Sequence, residues 1–128
     1  MVSLVLVSHS QKLAEAVAEV ALLMAKGAKI KALGGNDDGG YGASEKKITA
    51  AIEEVYSDDG VIVIADIGSS VNTAKVVIKK MTDEGKKVLL ADCPMIEGSI
   101  AAAVMSSISM PLEEVLRQAQ DAKNMKKA

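Results

Sequence analysis

Val61-Ile62-Val63-Ile64-Ala65-Asp66-Ile67-Gly68-Ser69-Ser70 decides the fold. Five consecutive apolar residues, four of them β-branched, predict a short strand buried on both faces. Such a strand belongs in the middle of a parallel sheet. It stops at a carboxylate, and Gly68-Ser69-Ser70 then opens a helical pattern through Val71, Ala74, Val77, Ile78 and Met81, closed by Gly85. A strand followed directly by a helix is half of a βαβ unit.

The same alternation runs through the rest of the chain. On the N-terminal side, Leu4–Val7 predicts a strand. Leu13, Val17, Val20, Ala21 and Met24 then recur at spacings of three and four up to Gly27. Lys29–Leu33 predicts a weaker, mixed strand suited to an edge. Gly34 to Gly42 holds five glycines in nine residues and reads as a loop, after which Ser44 caps a helix that buries Ile48, Ile52 and Val55. On the C-terminal side, Lys87–Ala91 predicts the fourth strand, Ile96–Ser107 a small-residue helix, and Pro111 the start of an amphipathic helix. Lys123 to Ala128 is expected to fray.

Four repeats of strand and helix predict an α/β fold: an open, doubly wound, mainly parallel sheet with helices on both faces. The two most apolar strands, the first and third, belong in the centre, and the weak second belongs at an edge. The strand order is therefore expected to be 2-1-3-4. In such a sheet the loops after the strands share one rim, and ligands bind where the order reverses. Ser8-His9-Ser10 should then lie beside Asp66-Ile67-Gly68-Ser69-Ser70.

Length and composition narrow the function. The chain has 128 residues, the size of one domain, with 49% apolar and 25% charged residues. Fifteen basic against seventeen acidic residues, with no Phe or Trp, argue against nucleic-acid partners. The one Cys excludes an internal disulfide and fits a reducing compartment, and no apolar run is long enough for membrane insertion. The opening residues read as a strand rather than a signal peptide. A single cytoplasmic domain spanning 1–128 is expected.

The chemistry is expected at the rim. His9 is the only histidine. Ser8 with Gln11 reads as a capping box that would make His9 the first helical residue, facing free N–H groups and the positive end of the helix dipole. That field disfavours imidazolium and leaves a neutral, nucleophilic ring. Asp66 can reach one ring nitrogen, fix the tautomer and balance charge that develops during attack. Ser8, Ser10, Gly68, Ser69 and Ser70 supply hydroxyls and backbone donors for a phosphoryl group. Phosphoryl transfer needs chiefly positioning and electrostatics, so the set calls for no metal and no cofactor. Other readings are weaker. Asp37 and Asp38 suit turn chemistry in a glycine-rich loop. Cys93 has no second histidine to activate it and reads as an inert thiol. A response-regulator receiver would need acidic residues where Ser8-His9-Ser10 stands, and a flavin module would need aromatics.

Val5-Leu6-Val7-Ser8-His9-Ser10 resembles the start of the mannose-type IIA domains of the phosphoenolpyruvate-dependent phosphotransferase system. Together with Gly34-Gly35-Asn36-Asp37-Asp38-Gly39, Gly42-Ala43-Ser44, Asp66-Ile67-Gly68-Ser69 and Pro94-Met95-Ile96-Glu97-Gly98, it is similar to the phosphotransfer subunits of phosphotransferase-dependent dihydroxyacetone kinases. The likeness runs from Met1 to Leu116. Ala43 stands where that family usually has Thr, and Ala65 where a large apolar residue is usual. The resemblance implies that His9 takes a phosphoryl group from phospho-HPr and passes it to ADP bound in the nucleotide-binding kinase subunit. It also implies a homodimer, and a stand-alone form that relies on a separate HPr. The alternative is a IIA protein of a sugar transporter, donating to a IIB domain.

Overall fold

A computed structural model describes residues 1–128. The chain runs β1 (Ser3–Ser8), α1 (Gln11–Met24), β2 (Lys29–Gly34), α2 (Glu45–Val55), β3 (Val61–Ala65), α3 (Ser69–Asp83), β4 (Val88–Leu90), α4 (Met95–Ser107) and α5 (Leu112–Asp121), ending in a 3-10 turn at Ala122–Asn124. The four strands form one parallel sheet in the order β2-β1-β3-β4, as the sequence predicts. β1 pairs with β2 from Ser3↔Lys29 to Ser8↔Gly34, and with β3 from Ser3↔Val61 to Val7↔Ala65.

Alternation along the strands divides the core in two. Leu4, Leu6, Ile62 and Ile64 pack under α1, α4 and α5. Val5, Val7, Val61, Val63 and Val88 pack under α2 and α3. These strand side chains are fully or almost fully buried, and each contributes roughly 1.5–3 kcal/mol relative to exposure. The two central strands are thus loaded on both faces, which is why they read as unbroken apolar runs.

Helix α1 departs from the expected pattern. Its buried residues are Ala14, Val17, Ala18 and Ala21, whereas Leu13 and Val20 are 43% and Met24 65% exposed. The alanines let α1 lie close on the sheet beside α4, and that close approach rotates the larger side chains outward. The N-terminus is also shifted. Ser10, not Ser8, is the cap, its hydroxyl accepting the Leu13 N–H at 3.3 Å. His9 therefore precedes the helix instead of opening it. Ser44 caps α2 as expected, accepting the Lys47 N–H at 3.1 Å.

The last helices close the face over β1. α4 carries apolar residues on more than one side: Ala102 and Ala103 face inward, while Ile96 and, just past the helix end, Ile108 are 51% and 58% exposed. Beyond Asn124 the chain is irregular, though Lys127 is ion-paired with Glu97. No helix is long and apolar enough to cross a membrane.

Candidate active site

The reversal of strand order between β1 and β3 brings their C-terminal ends together. Asp66 is anchored there by its own N–H, which donates to the Val7 carbonyl at 3.0 Å. Its carboxylate then faces back over β1. Oδ2 accepts from the Ser8 hydroxyl at 2.9 Å and from the His9 N–H at 3.0 Å, and Oδ1 accepts from the Ile67 N–H at 2.7 Å. Burial works to raise the Asp66 pKa. The backbone N–H groups of His9 and Ile67, with the hydroxyls of Ser70 and Ser8, outweigh it and hold the carboxyl down at about 2.

The His9 ring lies across this carboxylate. Nδ1 is 3.2 Å from Oδ1 and 3.3 Å from Oδ2, and 3.0 Å from the Ser70 hydroxyl. An ionised carboxylate can only accept, so Nδ1 carries the proton. Nε2 is 2.8 Å from the Ser69 hydroxyl, which donates to it when the ring is neutral. Ser69 is the first residue of α3, whose leading N–H groups have no partner within the helix. The N-cap Gly68 adopts φ +50°, ψ −115°, a left-handed backbone that favours glycine, and so turns the α3 terminus toward the ring. The ring remains 31% exposed, while the Asp66 side chain is only 12% exposed.

His9, Asp66, Ser8, Ser69 and Ser70 are thus brought into one hydrogen-bonded group, as the sequence predicts. Three residues expected to bind the phosphoryl group are engaged otherwise, and one of them, Ser70, is fully buried with its hydroxyl on Nδ1 and its N–H on the Ile67 carbonyl. Ser8 is fully buried beneath Asp66, and its hydroxyl also accepts the Ser10 N–H at 3.0 Å. The Ser10 hydroxyl is engaged in capping α1. Cys93 lies near Asp66 in a hollow with Lys75 and Asp92, and burial pushes its thiol up to about 11. Asp37 and Asp38 serve the glycine loop, accepting from the Ser44 hydroxyl and the Gly40 N–H.

That loop reaches the site by contacts that no local pattern announces. The Gly34 N–H donates to the Gln11 side chain at 2.9 Å, Gly35 N–H to the Ser8 carbonyl at 3.3 Å, and Gly42 N–H to the His9 carbonyl at 3.3 Å. Gly34 is required for the approach, because a Cβ there would stand 2.5 Å from the Ser10 carbonyl carbon and 2.6 Å from the Gln11 nitrogen. A hollow of about 340 Å³ remains between the loop and His9, lined also by Ser10, Lys12 and Tyr41.

A histidine oriented through one nitrogen and open at the other, on the rim of a 2-1-3-4 parallel sheet, defines an α/β protein with a histidine–carboxylate site. The EIIA-man family model, described as PTS system fructose IIA component, matches residues 3–116. The chain belongs to that family. It is 36% identical over 132 residues to the phosphoryl donor subunit DhaM of the PEP-dependent dihydroxyacetone kinase of Escherichia coli K12, covering 99% of this chain and 28% of that protein. The chain therefore spans just over a quarter of that relative. The phosphoryl donor subunit DhaM of the PEP-dependent dihydroxyacetone kinase 2 of Listeria innocua is 31% identical over 120 residues, covering 92% of this chain and 96% of the relative. Among solved structures, EF1359, a protein of unknown function, aligns with a TM-score of 0.83 and 31% identity, covering 94% of this chain and 93% of that one. The mannose/sorbose-specific IIA subunit of Enterococcus faecalis, at 15% identity and TM-score 0.61 over 98% of this chain and 93% of that one, shares the fold.

Proposed function

We propose that this chain is a phosphohistidine carrier of a dihydroxyacetone kinase system. His9 accepts a phosphoryl group from phospho-HPr and delivers it to ADP held in the nucleotide-binding kinase subunit. The observation that carries this reading is the division of labour on the His9 ring: Nδ1 faces the Asp66 carboxylate, and Nε2 faces outward to a hydroxyl.

The steps follow from that geometry. The Nε2 lone pair attacks phosphorus as the P–N bond to the donor histidine breaks, and that bonding pair returns to the donor ring. Positive charge develops on the His9 ring and is balanced by Asp66, which keeps the Nδ1 proton in place. The Ser69 hydroxyl then turns from Nε2 to a phosphoryl oxygen. Gly68 and the open end of α3 hold the anion, with Ser10 on the opposite flank, while the buried Ser70 serves Asp66 and Nδ1. Ser8 acts from beneath by fixing Asp66. In the second half, a terminal phosphate oxygen of ADP attacks phosphorus, the P–Nε2 bond breaks, and the neutral ring is restored. What this chain contributes to the chemistry is positioning and fixed dipoles.

The names of the relatives that match over nearly the whole chain support the kinase as acceptor. The sugar named in the family's description, fructose, supports a second reading, in which the acceptor is a IIB domain of a sugar transporter. A homodimer in the cytoplasm fits either reading. The homodimer is supported by Ile96 on α4 and Ile108 just past its end, two large apolar side chains left exposed on one side of the domain. The test is a relay reconstituted from phosphoenolpyruvate, enzyme I and HPr. This chain should gain one acid-labile phosphate on His9 and lose it on addition of ADP-loaded kinase subunit with dihydroxyacetone. Discharge only by a IIB domain would assign it to sugar transport, and no label would overturn both readings.

A further inference from the structure

Two large apolar side chains project from the rim that carries His9. Tyr41 is 83% and Ile67 69% exposed. Both stand on fixed backbone. The Ile67 N–H donates to Asp66 and its carbonyl accepts the Ser70 N–H at 3.1 Å. The Tyr41 carbonyl accepts from the Asn36 side chain at 3.2 Å, and the adjacent Gly42 N–H is tied to the His9 carbonyl. Neither side chain hydrogen-bonds to His9 or Asp66, so their exposure is not explained by the catalytic group itself. Lys12 lines the same hollow as His9 and Tyr41 and makes no ion pair. The reactive ring is therefore flanked by an aromatic side chain, an aliphatic one and a free ammonium group.

We infer that Tyr41, Ile67 and Lys12 form a collar on which the phosphorylated donor protein docks. The inference rests on the phosphohistidine reading of His9 and adds the surface that selects the donor. A pocket for a small phosphodonor would carry its apolar groups inside, around the ligand. Here the hollow is lined by glycines and polar groups with Tyr41 as its one apolar wall, and the apolar surface stands outside on projecting side chains. Rigid, exposed Tyr and aliphatic groups around a reactive centre suit contact with a protein face. The ammonium group of Lys12 is open while the ring is bare, and it complements a partner that arrives carrying phosphate.

The test compares a donor too small to touch the collar with one that must cover it. Wild-type protein and the Tyr41→Ala/Ile67→Ala double variant are phosphorylated with phosphoramidate and, separately, with purified phospho-HPr. The variant should match wild type with phosphoramidate, while its KM for phospho-HPr rises about tenfold or more. Lys12→Gln should flatten the salt dependence of the phospho-HPr reaction alone. An unchanged KM for phospho-HPr would overturn the collar. So would equal losses with both donors, which would mean that these side chains act on the ring itself. Wild-type protein that neither donor labels would overturn the phosphohistidine reading instead.

Discussion

His9 Nδ1 lies 3.2 and 3.3 Å from the two carboxylate oxygens of Asp66, residues 57 positions apart joined at the ends of β1 and β3. In the proposed relay that contact keeps the proton on Nδ1 and frees Nε2 for attack. Asp66→Asn keeps the volume and removes the charge, so the ring is no longer held in one tautomer or balanced as it becomes positive. Transfer to His9 is expected to fall by about 10²–10⁴-fold. Stopped-flow transfer from phospho-HPr measures this, with circular dichroism to verify the fold. A loss under threefold would separate Asp66 from the chemistry.

Acid stability should carry the signature of the same carboxylate. The Asp66 pKa is lowered from 3.8 to about 2 on folding. A depressed carboxylate contributes stability that is fully present above its unfolded value and is lost as pH falls through the folded one. Wild-type protein should therefore lose stability progressively between about pH 4 and pH 2. Asp66→Asn should be less stable at neutral pH and should show a flatter slope in that window. Urea midpoints measured across it provide the comparison, and parallel slopes would contradict the assignment.

Ser69 meets Nε2, the nitrogen the proposed relay phosphorylates, at 2.8 Å. A hydrogen bond to a charged group is worth roughly 1.5–3 kcal/mol. Ser69→Ala should accordingly slow transfer about ten- to hundredfold and leave the melting temperature nearly unchanged, since Ser69 is exposed. Single-turnover kinetics with a parallel thermal melt test both halves.

Gly34 lets the loop after β2 press against the start of α1. An alanine Cβ would meet the Ser10 carbonyl carbon at 2.5 Å, and neither backbone can yield without moving His9. Overpacking of this kind costs typically 1–3 kcal/mol. Gly34→Ala should lower Tm by roughly 4–12 °C and reduce transfer disproportionately. A variant with unchanged Tm would show that the contact relaxes freely.

The sheet was legible because strand burial leaves a direct trace: the apolar runs at Leu4–Val7 and Val61–Ala65 mark the two central strands, and Lys29 and Lys31 mark the edge. The pairing of His9 with Asp66 followed from strand order alone. What stayed hidden depends on contacts distant in sequence. Ser8 and Gln11 have the spacing of a capping box, yet the Ser8 hydroxyl is taken by Asp66 and the Gln11 side chain by Gly34, 23 residues away. Helix α1 misleads for another reason. Its periodicity counts large residues, whereas the close approach to the sheet selects the alanines Ala14, Ala18 and Ala21.

The most direct test of the central claim is the ring position of the phosphate. After phosphorylation by phospho-HPr, ³¹P NMR of the denatured chain distinguishes phosphate on Nε2 from phosphate on Nδ1. Asp66 on Nδ1 and an open Nε2 predict a single resonance from His9 phosphorylated at Nε2, absent in His9→Ala. A resonance from the Nδ1 isomer, or label that survives in His9→Ala, would contradict the account.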